Sequence, residues 1–159
     1  MKIGVYPGSF DPLTNGHMDI LKRSLEVFDK VVLLLAVNPS KASVFSVEQR
    51  LAMMKEAVKD YPSVSVDYTP GLTVDYCRKI GSKHIIRGLR AVTDFEYEFQ
   101  LAAANKFVGE DIDMVFFMAS SSTTFISSST INEMVASNVD VSPLVPPSVI
   151  KAYEAKKRK

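Results

Sequence analysis

Residues 6–17 read YPGSFDPLTNGH, and this stretch decides the fold because it joins two segments of different periodicity. The run from Ile3 to Tyr6 before it is short and partly β-branched, which predicts a buried strand. After it, Met18, Leu21 and Leu25 recur at helical spacing, which predicts an amphipathic helix. The stretch is therefore a loop that leaves a strand and enters a helix.

Short apolar runs alternate with amphipathic stretches along the rest of the chain. Further strands are predicted at 31–37, 64–68, 84–86 and 114–118, with helices between them. This order predicts an α/β fold in a single domain over residues 1–159. It is a Rossmann-like, doubly wound parallel sheet of five strands with helices on both faces and a C-terminal helix near 146–156. Such sheets bind ligands at the carboxyl ends of their strands, where we expect the site.

Local signals predict several helix ends. Ser46 with Gln49, and Thr93 with Glu96, have the spacing of capping boxes. Gly81 is expected to end a helix that begins near Thr73, because glycine adopts the left-handed conformation cheaply. A further helix is expected around 130–136.

Composition excludes several classes of protein. The chain has 19 Lys and Arg against 18 Asp and Glu, so bulk charge gives no reason to expect nucleic acid or a membrane surface as a partner. Its one cysteine, Cys77, excludes an internal disulfide framework, and its two histidines lack metal-ligand spacing. With no signal peptide and no long apolar run recognisable, we expect a cytoplasmic protein without a protein-held metal.

The loop after the first strand has the residues of a phosphate site. Gly8 and Gly16 permit close backbone approach, Ser9 supplies a hydroxyl, and His17 lies in the first turn of a helix, where anions are favoured. An ordinary turn with Thr14 as the N-cap is the alternative for each residue alone. The combination favours phosphate, since a histidine at this place is expected to have little structural use. The sequence contains neither the dinucleotide-binding motif G-x-G-x-x-G nor the P-loop motif G-x-x-x-x-G-K-[ST], which argues against a dehydrogenase of the first kind and a kinase of the second.

Three other loops carry groups suited to phosphate. Arg87 and Arg90 flank a short turn expected directly after a strand, and arginine meets phosphate oxygens bidentately. Three serines at 127–129 precede a helix and offer hydroxyls and backbone N–H groups, or serve only as a loop and N-cap. Lys41 follows the second strand, where a lysine is ordinarily a solubility residue. Donors and cations without a clear carboxylate nucleophile suit in-line attack on phosphorus.

These motifs resemble a known family. Residues 14–17, TNGH, resemble the T/H-x-G-H signature of the nucleotidylyltransferase superfamily, and residues 126–129, ISSS, resemble its I-S-S-[ST] motif. Residues 6–17 and 91–98 are similar to the bacterial phosphopantetheine adenylyltransferases, and the likeness extends from Ile3 to about Pro147. The chain departs from the family at Thr123 and Thr124, where an aromatic residue and serine are usual, and at Asn132, where a basic residue is usual.

The resemblance implies transfer of the adenylyl group of ATP to 4'-phosphopantetheine, on the route to coenzyme A. It implies catalytic roles for His17, Lys41 and Arg90. It implies ATP contacts from Ser9, Phe10, His17, Gly88, Leu89, Arg90, Glu98, Thr123, Thr124, Phe125, Ile126, Ser127, Ser128 and Ser129. It implies acceptor contacts from Ser9, Lys41, Thr73 and Arg87, with an N-cap as the alternative for Thr73.

By the same resemblance we expect Mg²⁺ carried by the ATP phosphates, feedback inhibition by coenzyme A and a homohexamer. Two alternatives stay open on the sequence. One is a nucleotidylyltransferase that uses CTP or another phosphate acceptor, such as nicotinamide mononucleotide or glycerol phosphate. The other is a nucleotide-binding sensor without catalysis on the same scaffold.

Overall fold

Five parallel strands form one sheet in the computed structural model, which describes residues 1–158 apart from the side chains of Val92 and Thr93. The strands are β1 (Ile3–Gly8), β2 (Lys30–Ala36), β3 (Val64–Thr69), β4 (His84–Leu89) and β5 (Asp113–Met118). Their spatial order is β3-β2-β1-β4-β5, with every neighbouring pair parallel. The predicted five-stranded, Rossmann-like sheet is confirmed.

Six helices connect or follow these strands in the described chain. They are α1 (Asn15–Ser24), α2 (Val47–Ala57), α3 (Thr73–Ile80), α4 (Val92–Val108), α5 (Ser128–Ala136) and α6 (Pro147–Lys157). The chain builds outward from β1 to β3 and then returns to place β4 on the other side of β1. Strand order therefore reverses between β1 and β4, which is where open α/β sheets place their ligand crevice.

Apolar side chains are buried on both faces of the sheet. Strand β2 contributes a run from Val31 to Leu35 that is buried throughout, as expected of a central parallel strand. On one face, Leu33 lies in a large core with Phe45, Met54 and residues of α1, α5 and α6. On the other face, Leu34 packs in a smaller core with α3. The two cores confirm helices on both faces.

The end of β4 differs from the expectation. The strand was predicted to stop at Ile86, but it continues through Leu89, so Arg87 lies within the strand and only Arg90 follows it. The sequence pattern missed this extension because Arg87 and Gly88 are not typical strand residues. The charge of Arg87 is tolerated there because a carboxylate of α4 pairs with it.

Helix ends follow most of the local signals. Ser46 and Gln49 form the predicted capping box of α2, and Gly81 ends α3 with a φ of 76°. Thr73 is not an N-cap, because Leu72 occupies that position without a side-chain hydrogen bond. The helix expected around 130–136 begins earlier, at Ser128. The capping box predicted for Thr93 with Glu96 was wrong, because α4 begins at Val92 and its N-cap is Ala91, without a side-chain hydrogen bond.

The C-terminal helix was predicted near 146–156, and α6 runs from Pro147 to Lys157. None of the helices within residues 1–158 is long and apolar enough to cross a membrane.

Candidate active site

A cavity of about 370 Å³ opens at the carboxyl edge of the sheet, between β1 and β4. Its walls come from the β1–α1 loop, the end of β4, α4 and the start of α5. We call it the phosphate cavity. The predicted site residues that line it are Ser9, His17, Arg87, Gly88, Arg90, Glu98, Thr123, Ile126, Ser127, Ser128 and Ser129.

His17 enters the cavity from the first turn of α1, and its ring is oriented by a capping box. Thr14 is the N-cap, and its hydroxyl accepts from the His17 backbone N–H at 3.3 Å. In return, Nδ1 of His17 accepts from the Thr14 backbone N–H at 3.0 Å. Because Nδ1 is the acceptor, the proton of the neutral ring lies on Nε2. The expectation that this histidine has little structural use was therefore wrong.

His17 is uncharged at neutral pH. Burial, followed by the charges of Arg90 and Arg87, lowers the pKa of its imidazole from 6.5 to about 4. A neutral ring with its proton on Nε2 is a fixed hydrogen-bond donor and does not act as a base through that atom. The site therefore has a donor whose state does not change across the physiological pH range.

Aromatic rings pack against the His17 imidazole. The centroid of Phe10 lies 4.9 Å from that of His17, and the centroid of Tyr6 lies 6.3 Å away. Phe10 is fully buried and has a φ of 43°, an uncommon conformation for a residue other than glycine. Phe10 does not line the cavity, and the ATP contact that the resemblance implies for it stays a prediction.

Two carboxylates one helical turn apart on α4 hold the two arginines. Glu98 accepts from Nε and Nη2 of Arg87 at 2.9 and 2.5 Å, and the exposed fractions of the two side chains are 7% and 24%. Asp94 accepts from Nε of Arg90 at 3.2 Å, with exposed fractions of 29% and 41%. The structure thus brings both guanidiniums to one cavity and orients each through an ion pair.

Further hydrogen bonds to backbone carbonyls restrict the same guanidiniums. Nη1 of Arg87 donates to the carbonyl of Pro7 at 3.3 Å, and Nη1 of Arg90 donates to that of Ile126 at 3.1 Å. The sequence reasoning missed Asp94, and by resemblance it assigned Glu98 only to ATP. The spacing of four residues between Asp94 and Glu98 could have shown that the two carboxylates share one helix face, but not which arginine each of them pairs with.

The serine-rich segment caps α5 at the cavity wall. The Ser127 hydroxyl is the N-cap and accepts from the Thr130 N–H at 3.1 Å. The Ser128 hydroxyl donates to the Pro12 carbonyl at 2.8 Å, which joins the start of α5 to the β1–α1 loop. Two helix N-termini, those of α1 and α5, therefore meet at the cavity, and their free N–H groups favour an anion.

Some predicted residues lie outside the phosphate cavity. Lys41 is exposed and lines an adjoining cavity of about 230 Å³, which shares Ser9, Ser128 and Ser129 with the first. Thr73 begins α3 and lines neither of these two cavities. Likewise, the phosphate cavity is not lined by Leu89, Thr124 or Phe125.

Carboxylates are scarce at this site. Asp94 and Glu98 line the phosphate cavity, and each is paired with an arginine. Within residues 1–158, no group of three or more His, Cys, Asp or Glu side chains could hold a metal ion. The lining instead supplies hydroxyls, guanidiniums and an imidazole donor, which suit a polyphosphate.

A Rossmann-like sheet with two helix N-termini, paired arginines and a neutral histidine around one crevice defines a nucleotide-binding α/β transferase of the cytidylyltransferase-like class. Residues 5–134 match the family model described as cytidylyltransferase-like.

Three relatives named phosphopantetheine adenylyltransferase identify the family within this class. The one from Roseiflexus sp. (strain RS-1) is 51% identical over 154 residues, 97% of this chain and 96% of the relative. Those from Geotalea daltonii and Lachnoclostridium phytofermentans are 49% and 48% identical, over 98% and 95% of this chain and 97% and 93% of the relatives. The chain belongs to the phosphopantetheine adenylyltransferase family.

Proposed function

We propose that this chain transfers the adenylyl group of ATP to 4'-phosphopantetheine, giving dephospho-coenzyme A and pyrophosphate. The observation that carries the proposal is the meeting of His17, Arg87, Arg90 and the α5 N-terminus around one cavity of phosphate-binding character. The family of relatives, which cover nearly the whole chain, supports the choice of ATP and acceptor.

The chemistry needs alignment and charge stabilisation more than proton transfer. An oxygen of the acceptor phosphate attacks the α-phosphorus of ATP, a new P–O bond forms, and the bond to the bridging oxygen between the α- and β-phosphates breaks. The electron pair of that bond leaves on pyrophosphate, so no covalent enzyme intermediate is needed. The acceptor phosphate is already an anion at neutral pH, which is why the site can work without a general base.

We assign the groups of the site to stages of this reaction. His17 donates its Nε2–H to an oxygen of the α-phosphate, where charge increases in the transition state. Arg90 and the N–H groups at the start of α5 hold the ATP phosphates, while Arg87 and Lys41 receive the acceptor phosphate. The Glu98 and Asp94 carboxylates keep the guanidiniums in place before substrates bind.

Mg²⁺ is proposed to enter on the phosphates of ATP, where it would neutralise charge on the leaving pyrophosphate. The residues present fit this arrangement, because the cavity offers serine hydroxyls but has its two carboxylates engaged with arginines. Phosphate oxygens and water would then supply most ligands of the ion.

An assay of the purified protein with ATP, Mg²⁺ and separate acceptors tests the proposal. With 4'-phosphopantetheine as the acceptor, we expect release of pyrophosphate and formation of dephospho-coenzyme A. We expect little reaction when nicotinamide mononucleotide or glycerol phosphate replaces this acceptor, or when CTP replaces ATP. Reaction with a different acceptor and none with 4'-phosphopantetheine would contradict the substrate assignment. Nucleotide binding without pyrophosphate release would favour the sensor.

Three finer properties are also proposed on the basis of family resemblance. We propose a cytoplasmic homohexamer that coenzyme A inhibits. The support for assembly in this chain is a set of exposed aromatic side chains on α4 that do not line the phosphate cavity, namely Phe95, Phe99 and Phe107. Light scattering on the eluting protein tests the subunit number, cell fractionation tests the location, and the assay above with added coenzyme A tests the inhibition.

A further inference from the structure

The chain segment that carries Lys41 is fixed at its far end by one carboxylate. We call residues 38–45 the Lys41 segment; it leaves β2 and runs towards α2. The Asp11 carboxylate accepts from the Val44 N–H at 2.7 Å through Oδ2 and from the Phe45 N–H at 2.9 Å through Oδ1. Asp11 belongs to the β1–α1 loop, so this pair of hydrogen bonds ties Lys41 to the loop that carries Ser9 and leads to His17.

Asp11 is itself held from α5. The Asn132 amide donates to the Asp11 carbonyl at 3.0 Å, and the oxygen of the same amide accepts from the Tyr153 hydroxyl of α6. Asn132 is the position at which the family usually has a basic residue. A basic side chain has no acceptor, so it could not receive the Tyr153 hydroxyl proton as Asn132 does. This link to α6 is a feature of this chain's own residues.

Helix α6 also touches the Lys41 segment directly. The ring of Tyr153 meets that of Phe45 edge-on, with centroids 5.0 Å apart. The Lys156 ammonium lies 5.4 Å from the Phe45 ring centroid and donates to the Val44 carbonyl. Both residues of α6 lie beyond residue 134, where the match to the family model ends.

We propose that Asp11 is a positioning residue that holds Lys41 at the acceptor phosphate. Asn132 of α5 and Tyr153 of α6 hold Asp11 in turn, and we call these three residues the clamp. The Lys41 side chain is exposed and has no ion-pair partner within the described side chains, so it is not fixed by an ion pair; its backbone N–H donates to the Asn38 carbonyl at 3.2 Å within the same segment. It lies three residues before Val44, so fixing the Val44 backbone limits the Lys41 Cα to a sphere of roughly 10 Å. Lysine has a flexible side chain, and holding its backbone reduces the entropy lost when it binds phosphate.

A double-mutant cycle with Lys41→Met separates positioning from a general structural role. The role of Lys41 rests on the proposed function, so kcat and KM are measured with 4'-phosphopantetheine. We expect Asp11→Asn to lower kcat/KM for the acceptor by about tenfold, with ATP KM changed by less than about twofold. In the Lys41→Met background, the same substitution should change kcat/KM by less than about twofold, since residues that act through one another are not additive. Equal losses in both backgrounds would overturn the proposal.

Tyr153→Phe is the second variant, and it tests the same proposal if Asp11→Asn does not fold. It removes only the hydroxyl that orients Asn132, so we expect a loss of about threefold that also disappears in the Lys41→Met background. Tyr76→Phe is the matched control. The Tyr76 hydroxyl donates to the Asp67 carboxylate at 2.7 Å, and neither residue lines the phosphate cavity or the adjoining cavity. A kinetic loss in Tyr76→Phe equal to that in Tyr153→Phe would contradict the clamp.

Amide hydrogen exchange tests the clamp independently of the reaction. In Asp11→Asn, the Val44 and Phe45 amides should exchange at least about tenfold faster than in the wild-type protein, while amides of β3 keep their rates. Unchanged exchange at both amides would overturn the clamp even if activity fell. If the wild-type protein does not use 4'-phosphopantetheine, the proposed function fails, and the exchange rates alone decide whether Asp11 holds the segment.

Discussion

The two walls of the site hold their charged groups in different ways. On the wall formed by α1, β4 and α4, His17 and Arg87 are partly buried and Arg90 is exposed. Each is oriented by a hydrogen-bond partner, which is the Thr14 backbone N–H for His17 and a carboxylate of α4 for each arginine. The second wall belongs to the adjoining cavity and carries Lys41, which is exposed and of whose segment only the backbone is held. Burial and pairing fix a side chain before substrate arrives, whereas an exposed lysine must be ordered by substrate. We expect the effects of substitution to decrease from the first wall to the second.

The largest effect is expected at His17, the group with the most restricted surroundings. His17→Ala removes the donor to the α-phosphate, and loss of one such donor typically costs about 10²–10³ in kcat. ATP KM should change by less than about threefold, because the lost interaction strengthens only in the transition state. Steady-state kinetics measure both constants. A large rise in ATP KM with unchanged kcat would show that His17 binds the ground state instead.

The low pKa of His17 also predicts a dependence of stability on pH. The unfolded chain binds a proton at this residue near its ordinary pKa of 6.5, whereas the folded chain does so only near pH 4. The unfolded state therefore holds more protons between these values, and the free energy of unfolding falls as pH drops through this window. The contribution lost at pH 5 relative to pH 8 is about 2 kcal/mol.

Urea unfolding of the wild-type protein and of His17→Ala at both pH values measures this contribution. The variant should lose less stability than the wild type between pH 8 and pH 5. Identical pH dependence in the two proteins would mean that His17 titrates normally in the folded state.

Breaking the Arg87–Glu98 pair should have a smaller effect, because part of the arginine reaches water. Glu98→Gln leaves the Arg87 charge without its bidentate partner, and we expect a loss of about 1–2 kcal/mol in the free energy of unfolding. Urea unfolding checks this value. Asp113→Asn is the control, since its pair with Lys106 is exposed and its removal should leave the unfolding midpoint unchanged.

The elements that could be predicted from the sequence are those whose signal is local. Alternating apolar runs and amphipathic stretches were enough for the five-stranded sheet, and the loop at residues 6–17 indicated the edge at which the phosphate cavity opens. The end of β4 could not be predicted this way, because Arg87 is compatible with a strand only through Glu98, eleven residues further on. A local pattern does not show which distant charge will be neighbouring.

The same limit applies to the residues that hold the site together. Asp11 was identified only as part of a motif, because its partners Val44 and Phe45 lie 33 and 34 residues away and are joined to it by backbone atoms. Asn132 was noticed only as a departure from the family. What its amide does depends on α6, a helix whose packing against α2 and α5 no short pattern specifies. Thr73, by contrast, was assigned by resemblance alone, and its part in acceptor binding stays a prediction.

The smallest effect is expected at Asp94, the more exposed of the two carboxylates on α4. Asp94→Asn removes the charge that orients Arg90, but the guanidinium keeps its hydrogen bond to the Ile126 carbonyl at 3.1 Å. Both side chains of this pair contact water, so the pair contributes at most about 1 kcal/mol. We therefore expect kcat/KM for ATP to fall by no more than about fivefold, in contrast to the larger loss that Arg90→Met should cause. Because solvent screens this pair, raising the salt concentration should narrow the difference between Asp94→Asn and the wild type. If the difference in kcat/KM between Asp94→Asn and the wild type did not depend on salt, Asp94 would behave as a buried group. Exposure would then not explain why some substitutions at the site have larger effects than others.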